Sequence, residues 1–352
     1  AARLIETASR PVILFGRGAR NSLQELNRLA DLRGCALINT LPARGTFTTK
    51  DPLYVGGLGH GGSQAAEKVL AEADLVLTFG ATWWPMGYVP REPRIIQFDA
   101  AKENIGMSHP IELGIVGDIK MSLNMLLEQL VERHDENWLK TVHQAKQAWV
   151  AGLNEEVSSQ DIPLYPQQAI ATISRYTAAN EIICLDSGDN VIWFSRFFDA
   201  TCRDILVSGT WRTMGYALPA ALAAKINNQE EPVTCLTGDG GFAMTMPEVL
   251  TAVRYNLPVR IIILNNSTLA MEKNRMTVTQ MTPYEMDQTN PDFIKYAEAC
   301  NIDAFRVQGP ESLTGVLQET SYLTNTTLIE VPVKNIVSSG TRLEREPASK
   351  MV

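Results

Sequence analysis

Val233-Thr234-Cys235-Leu236-Thr237 runs straight into Gly238-Asp239-Gly240-Gly241, and Gly241 to Leu264 then leads to the pair Asn265-Asn266. Val233 to Thr237 is an apolar run of strand length. Met246 to Tyr255 has helical spacing, and Val259 to Leu264 reads as a second buried strand. A strand, helix, strand unit returns the chain to the same side of a parallel sheet, so the glycine turn and the asparagine pair should lie at the ends of neighbouring strands. Glycines let the backbone turn sharply beside a ligand with no Cβ in the way. Asp239 offers a carboxylate oxygen and Asn266 a carbonyl oxygen, the hard donors taken by Mg²⁺ bridged to a phosphate.

The G-D-G at 238–240, followed at this distance by N-N, resembles the diphosphate-binding motif of thiamine diphosphate enzymes, and more narrowly of the pyruvate oxidase, acetolactate synthase and 2-oxoacid decarboxylase superfamily. A lone G-D-G is common, whereas G-D-G-G with a preceding strand, a helix, Leu257-Pro258-Val259, another strand and N-N is rare. The resemblance implies thiamine diphosphate and Mg²⁺ as cofactors. Asp239, the Asn266 side chain and the backbone carbonyl of Thr268 would ligate the ion, while N–H groups of Gly240 and Gly241 and the start of the next helix would meet the phosphate charge. Gly238 opens this cofactor-binding segment and Leu269, Ala270 and Met271 close it. Ala270 takes a position that is usually glycine in the family, so the turn there should be less strained or differently placed.

Upstream, a helix begins at Pro166 and runs to about Tyr176, and the strand Glu181 to Leu185 ends at Asp186-Ser187-Gly188-Asp189-Asn190. In the resemblance Gly188, Asp189 and Asn190 contribute to the cofactor site, with Asp189 replacing the usual histidine or glutamine; the plain structural alternative is that Asp189 and Asn190 cap the next helix. Ser208 to Tyr216 precedes an alanine-rich helix, Leu218 to Ile226. Here Thr213 and Met214 match the loop whose bulky aliphatic side chain bends thiamine so that its 4'-amino group meets C2, a proximity effect. Met214 is the candidate catalytic residue, against the alternative of a core methionine. Trp211 and Arg212 either shape the substrate entrance or pack at the surface. Lys273-Asn274 is similar to sulfoacetaldehyde acetyltransferases, whereas Asn290 to Phe293 and Ala304 to Val307 look closer to pyruvate oxidases. A helix over Phe293 to Ala299, a strand over Ala304 to Val307, a helix over Pro310 to Leu317 and a strand over Thr327 to Val331 close a sheet of five or six parallel strands.

The first part of the chain alternates strands with helices in the same way. Strands are expected at Pro11–Phe15, Cys35–Asn39, Leu75–Phe79, Arg94–Phe98 and Leu113–Val116, with helices at Ser22–Leu32, Ser63–Ala71 and Ile119–Leu130. The fold class is therefore α/β, two doubly wound, mostly parallel-sheet domains. The first is flavodoxin- or Rossmann-like and the second binds thiamine diphosphate. Gly16-Arg17-Gly18 lacks the third glycine of the dinucleotide fingerprint, so a ligand contact and a tight strand-to-helix turn weigh equally. Gly56 to Gly62, including Gly59 and His60, the run Gly80-Ala81-Thr82-Trp83-Trp84, and Asp99 stand where such sheets take ligands. The resemblance makes this the central domain, which carries FAD in pyruvate oxidases and acetolactate synthases and is empty in most decarboxylases. Trp83 and Trp84 either stack on FAD or fill its place. The expected boundaries are a central domain over 1–135, a connector over 136–165, a diphosphate and Mg²⁺ domain over 166–335 and a tail over 336–352. His134 and His143 read as solvated helix residues.

With 352 residues, 45% of them hydrophobic, the chain can bury two domain cores. Its 31 Lys and Arg against 39 Asp and Glu leave a net charge of -8 with no basic cluster, which points away from nucleic acid. Five scattered cysteines without a C-x-x-C read as free thiols of a cytoplasmic protein. The longest apolar runs are too short to span a bilayer, and the N-terminus, which reads as part of a helix, lacks a signal-peptide pattern.

The resemblance implies decarboxylation of a 2-oxoacid, pyruvate first, and passage of the carbanion-enamine to an oxidant or acceptor, most like pyruvate oxidase. Acetolactate synthase-like or sulfoacetaldehyde acetyltransferase-like transfer is the alternative, and a catalytically silent scaffold the non-enzyme one. Family members place an activating glutamate on an N-terminal domain that these residues do not include. The chain as given is therefore expected to be inactive alone and the full-length enzyme to be a homodimer or homotetramer.

Overall fold

The computed structural model describes residues 1–59, 61–82, 94–159 and 161–338. They form two compact units that divide after Leu153. In the first, strands β1 (Pro11–Phe15), β2 (Ala36–Asn39), β3 (Tyr54–Gly57), β4 (Leu75–Phe79), β5 (Arg94–Asp99) and β6 (Leu113–Val116) make a six-stranded sheet in the order β3-β2-β1-β4-β5-β6. Every pairing is parallel. All residues of β1 and β4 are buried, as strands covered on both faces must be, which is why they read as unbroken apolar runs. Helices α1 (Ala2–Thr7), α2 (Leu23–Arg33), α3 (Gln64–Glu72), α4 (Ile119–Leu127) and α5 (Glu136–Glu156) complete the unit. The last of these spans much of the expected connector, and its Trp138, Val142 and Ala145 join the core of this unit.

The second unit has α6 (Pro166–Arg175), β7 (Ile182–Leu185), α7 (Asp189–Phe197), β8 (Asp204–Val207), α8 (Ala217–Asn227), β9 (Val233–Gly238), α9 (Asp239–Thr245), α10 (Val249–Arg254), β10 (Arg260–Asn265), α11 (Ala270–Val278), α12 (Phe293–Ala299), β11 (Asp303–Arg306), α13 (Pro310–Glu319) and β12 (Thr327–Pro332). Its parallel sheet has the order β11-β12-β10-β9-β7-β8. The chain steps outward from β7 to β8 and then returns to β9 on the other side of β7. Winding therefore reverses between β7 and β9.

One expected helix is corrected. Instead of starting near Met246, helical structure begins at Asp239, breaks at a 3₁₀ turn over Met246–Glu248, and resumes as α10. Two glycines disfavour a helix start, but the buried Phe242 packs edge-on against Phe293 at 5.5 Å and against Tyr296 at 6.3 Å, and that packing outweighs propensity. Pro247 then ends the first piece, because its ring cannot continue a helix interior. All five cysteines are free and buried. Among the described residues, no helix is long and apolar enough to cross a membrane.

Candidate functional site

In an open parallel sheet the ligand crevice lies beyond the carboxyl ends of the strands where winding reverses. In the second unit that place is the β7/β9 boundary. A Cβ on Gly241 would stand 2.8 Å from Asp186 Oδ2 and 3.0 Å from Thr237 Oγ1, so the loop after β7 lies against the turn after β9. On Gly240 it would stand 3.0 Å from Leu269 Cδ2, beyond β10, and 3.4 Å from Met214 Cε, beyond β8. Segments following four strands thus converge on Gly238–Gly241. Bare backbone suits Gly241 most, because a Cβ there would press on the buried Asp186 carboxylate.

Asp239 opens α9 with 2% exposure. Burial raises its carboxyl above the ordinary value, opposed by hydrogen bonds from Asn290 and from the backbone N–H groups of Gly240 and Asn266. Asn290 Nδ2 donates to Asp239 Oδ2 at 2.7 Å. On the next strand end, Asn266 Oδ1 accepts from the Thr268 N–H at 3.2 Å, and Ser267 between them adopts φ +54. The Thr268 carbonyl accepts from the Ala270 N–H at 2.9 Å across Leu269 (φ -74, ψ 73), an inverse γ-turn. Ala270 is then simply the first residue of α11. The left-handed conformation sits at Ser267, three residues earlier, so position 270 does not require glycine. Met271 is half-buried in the first turn of the same helix.

Asp186, 1% exposed, accepts from Thr237 Oγ1 at 3.0 Å and from the Ser187 N–H at 2.7 Å, and burial raises its carboxyl above the ordinary value. Gly188 at φ +138 turns the chain into α7. Asn190 Nδ2 returns to the Asp186 carbonyl at 2.9 Å. Asp189 Oδ2 accepts from Trp193 Nε1 at 2.6 Å, while its Oδ1 is buried without a hydrogen-bond partner, and burial pushes its carboxyl up to about 6. Beyond β8, Thr213 is exposed and its N–H donates to Ser208 Oγ at 3.0 Å. Trp211 is 87% exposed, and Lys273 Nζ reaches Asp287 Oδ1 at 2.6 Å.

Sequence spacing missed Asn290 and the carboxylate of Asp186. Asn290 lies 51 residues from Asp239 in a stretch without regular structure, and no local pattern announces such a contact.

In the first unit, winding reverses between β1 and β4. A Cβ on Gly16 would stand 2.3 Å from the Gly80 carbonyl oxygen and 2.8 Å from Ala81 Cα, and one on Gly18 would stand 2.9 Å from Gly80 Cα. Close backbone packing between these two turns is therefore enough to require the glycines. Arg17 is exposed, and Gly59 is buried at φ +108. Asp99, 6% exposed, accepts from the Ala101 N–H at 2.9 Å and Asn104 Nδ2 at 2.8 Å. His60, Trp83 and Trp84 lie outside the described residues.

Comparison with known proteins yields two matches of one kind. Residues 186–331 match the model "Thiamine pyrophosphate enzyme, C-terminal TPP binding domain", and residues 1–126 match "Thiamine pyrophosphate enzyme, central domain". The chain belongs to the thiamine pyrophosphate enzymes. It is 30% identical over 335 residues to the thiamine pyrophosphate-containing protein YdaP of Bacillus subtilis, covering 95% of this chain and 58% of that protein. Identity to the pyruvate oxidase of Lactiplantibacillus plantarum is 30% over 326 residues, covering 90% of this chain and 54% of the relative. To the chloroplastic acetolactate synthase of Arabidopsis thaliana it is 29% over 337 residues, covering 90% and 50%. The chain spans about half the length of these relatives.

For thiamine pyrophosphate, which is thiamine diphosphate, the donor chemistry fits. Among the described residues no group of three or more His, Cys, Asp and Glu could hold a metal ion by itself. Asp239, Asn266 and Thr268 offer one buried carboxylate, one amide oxygen and one backbone carbonyl, hard donors of the kind that Mg²⁺ takes together with phosphate oxygens and water.

Proposed function

We propose that this chain supplies the thiamine diphosphate and Mg²⁺ end of an enzyme that decarboxylates a 2-oxoacid, with pyruvate the best candidate, and passes the remaining fragment to an oxidant or acceptor, most like a pyruvate oxidase. The observation that carries the reading is the convergence of Asp186, Met214 and Leu269 on the glycine turn that holds the buried Asp239. Asp239, the Asn266 side chain and the Thr268 carbonyl would hold the ion, and N–H groups of Gly240 and Gly241 would meet the diphosphate. Gly188, Asp189, Asn190 and Thr213 would line the cofactor's surroundings, and the Met214 side chain would fix its bend. When bound, thiamine diphosphate supplies an electron sink for decarboxylation. The residues of this chain would bind and orient it.

The complete enzyme is expected to be a homodimer or homotetramer. FAD in the first unit belongs to the same reading, with Gly16, Arg17, Gly18, Gly59, His60, Gly80, Ala81 and Asp99 as its candidates. A flavin spectrum of the purified full-length protein tests it. A carboligase reading of the acetolactate synthase type is favoured by the relatives of that name. Product analysis with pyruvate as donor separates the two.

The direct test of the site is Asp239→Ala with calorimetric titration of thiamine diphosphate in Mg²⁺. Affinity should fall at least about 100-fold, roughly 2.7 kcal/mol. Unchanged affinity would overturn the ion assignment.

A further inference from the structure

Asn265 and Asn290 have no part in the reading above, yet they connect its ion ligand to the sheet. Asn265 ends β10 one residue before Asn266; its Nδ2 donates to Glu330 Oε1 at 2.7 Å, and its Oδ1 accepts from Asn290 Nδ2 at 3.1 Å. The same Asn290 nitrogen donates to Asp239 Oδ2 at 2.7 Å. Glu330, 5% exposed on β12, is held on its other oxygen by Arg306 Nε at 2.8 Å, and Arg306 Nη2 reaches Asp292 Oδ1 at 2.8 Å. Asp292 lies two residues beyond Asn290 and caps α12 through the Ile294 N–H. Asn290, Asn265, Glu330, Arg306 and Asp292 therefore close a ring across the ends of β10, β11 and β12. Asp239 hangs from it by one hydrogen bond.

We propose that Asn290 is a positioning residue of the ion site, its amide fixing the Asp239 carboxylate so that the carboxylate meets the divalent ion already oriented. The inference rests on Asp239 being an ion ligand. The donor identity follows from chemistry: an ionised carboxylate only accepts, so the group facing Asp239 is the NH₂ and not the carbonyl of Asn290. A neutral donor suits this place. It satisfies one oxygen of a buried carboxylate without cancelling the charge that attracts the ion, whereas a lysine would compete with the ion and an aspartate would repel Asp239 across 2.7 Å. The asparagine pair thus divides its work, Asn266 toward the ion and Asn265 toward the frame.

The experiment is Mn²⁺ titration of the whole chain, followed by electron paramagnetic resonance, with and without thiamine diphosphate, for wild type, Asn290→Ala, Asn290→Ser and Arg306→Met. Arg306→Met opens the far side of the ring without touching Asp239, so it reports loss of structure alone. Both Asn290 variants should weaken Mn²⁺ binding by about 10- to 100-fold, the range for lost partners of metal ligands. Their ion-free melting temperatures should fall no further than that of Arg306→Met, whose Mn²⁺ affinity stays within about threefold of wild type. Wild-type affinity in a folded Asn290→Ala or Asn290→Ser protein overturns the inference while leaving the ion site standing. So does an equal loss of affinity in Arg306→Met. Failure of the wild type to bind Mn²⁺ even with thiamine diphosphate overturns the site itself, and the inference with it.

Discussion

Asp189 begins α7 as a buried carboxyl with one oxygen bonded to Trp193 Nε1 and the amide of Asn274 beside it. Burial lifts its carboxyl from 3.8 to about 6. The folded state then holds the proton more tightly than the unfolded chain does. Its contribution to stability is fully present below about pH 4 and is lost as pH rises through about 6. Asp189→Asn keeps an oxygen for Trp193 and has no charge to bury. By urea unfolding, this variant should exceed wild type at pH 7.5 by up to about 3 kcal/mol, with the gain shrinking toward pH 4.5. A gain that does not change with pH would remove burial of this charge as its cause. The same residue shows what spacing can reveal. The placement of Asp239 and Asn266 after neighbouring strands was legible because a strand, a helix and a strand return the chain to the same side of the sheet. The raised carboxyl of Asp189 and the contact of Asn290 with Asp239 were not, because they depend on neighbours such as Trp193, Asn274 and Asn265 that only the folded chain brings together.

At the scale of elements, the strands buried on both faces were legible, and so were the partly exposed edge strands β6 and β11. β1, β4, β9 and β10 read as apolar runs because parallel strands under helices leave little room for polar residues. β3 and β8 were missed, and both are four-residue edge strands; β3 ends in Gly56-Gly57 and β8 begins at the half-buried Asp204. The glycines of β3 signalled a ligand loop, but Gly56 at φ +95 lies against Ser63, where a Cβ would stand 2.8 Å from Ser63 Oγ. That serine joins two elements: its hydroxyl donates to the Val55 carbonyl and accepts from the Ala66 N–H at 2.8 Å, capping α3. Ser63→Ala leaves a buried carbonyl and a helix N–H unsatisfied. It should lower stability by about 1 to 2 kcal/mol in denaturant unfolding. A loss under a few tenths of a kcal/mol would mean that water replaces both bonds.

Across the molecule, two sheets of similar build meet different demands at the place where their winding reverses. In the first, the turns after β1 and β4 press together, backbone on backbone at Gly16, Gly18 and Gly80. In the second, side chains from three neighbouring segments close on a turn that carries a buried, charged Asp239. Among the described residues no cationic side chain meets this buried carboxylate, whose partners are Asn290 and backbone N–H groups, so ligand binding should tighten this region most. Hydrogen exchange followed peptide by peptide should therefore show protection on adding Mg²⁺ and thiamine diphosphate over residues 186–190, 214–216, 238–245 and 265–270. Exchange at 11–20 and 75–82 should stay as it was, since those turns already hold one another. The Asn290→Ala protein should show the same pattern only at raised ion concentration. Protection that appeared instead at 16–18 and 80–82 would place the diphosphate in the first sheet and leave the buried charge of Asp239 without its partner.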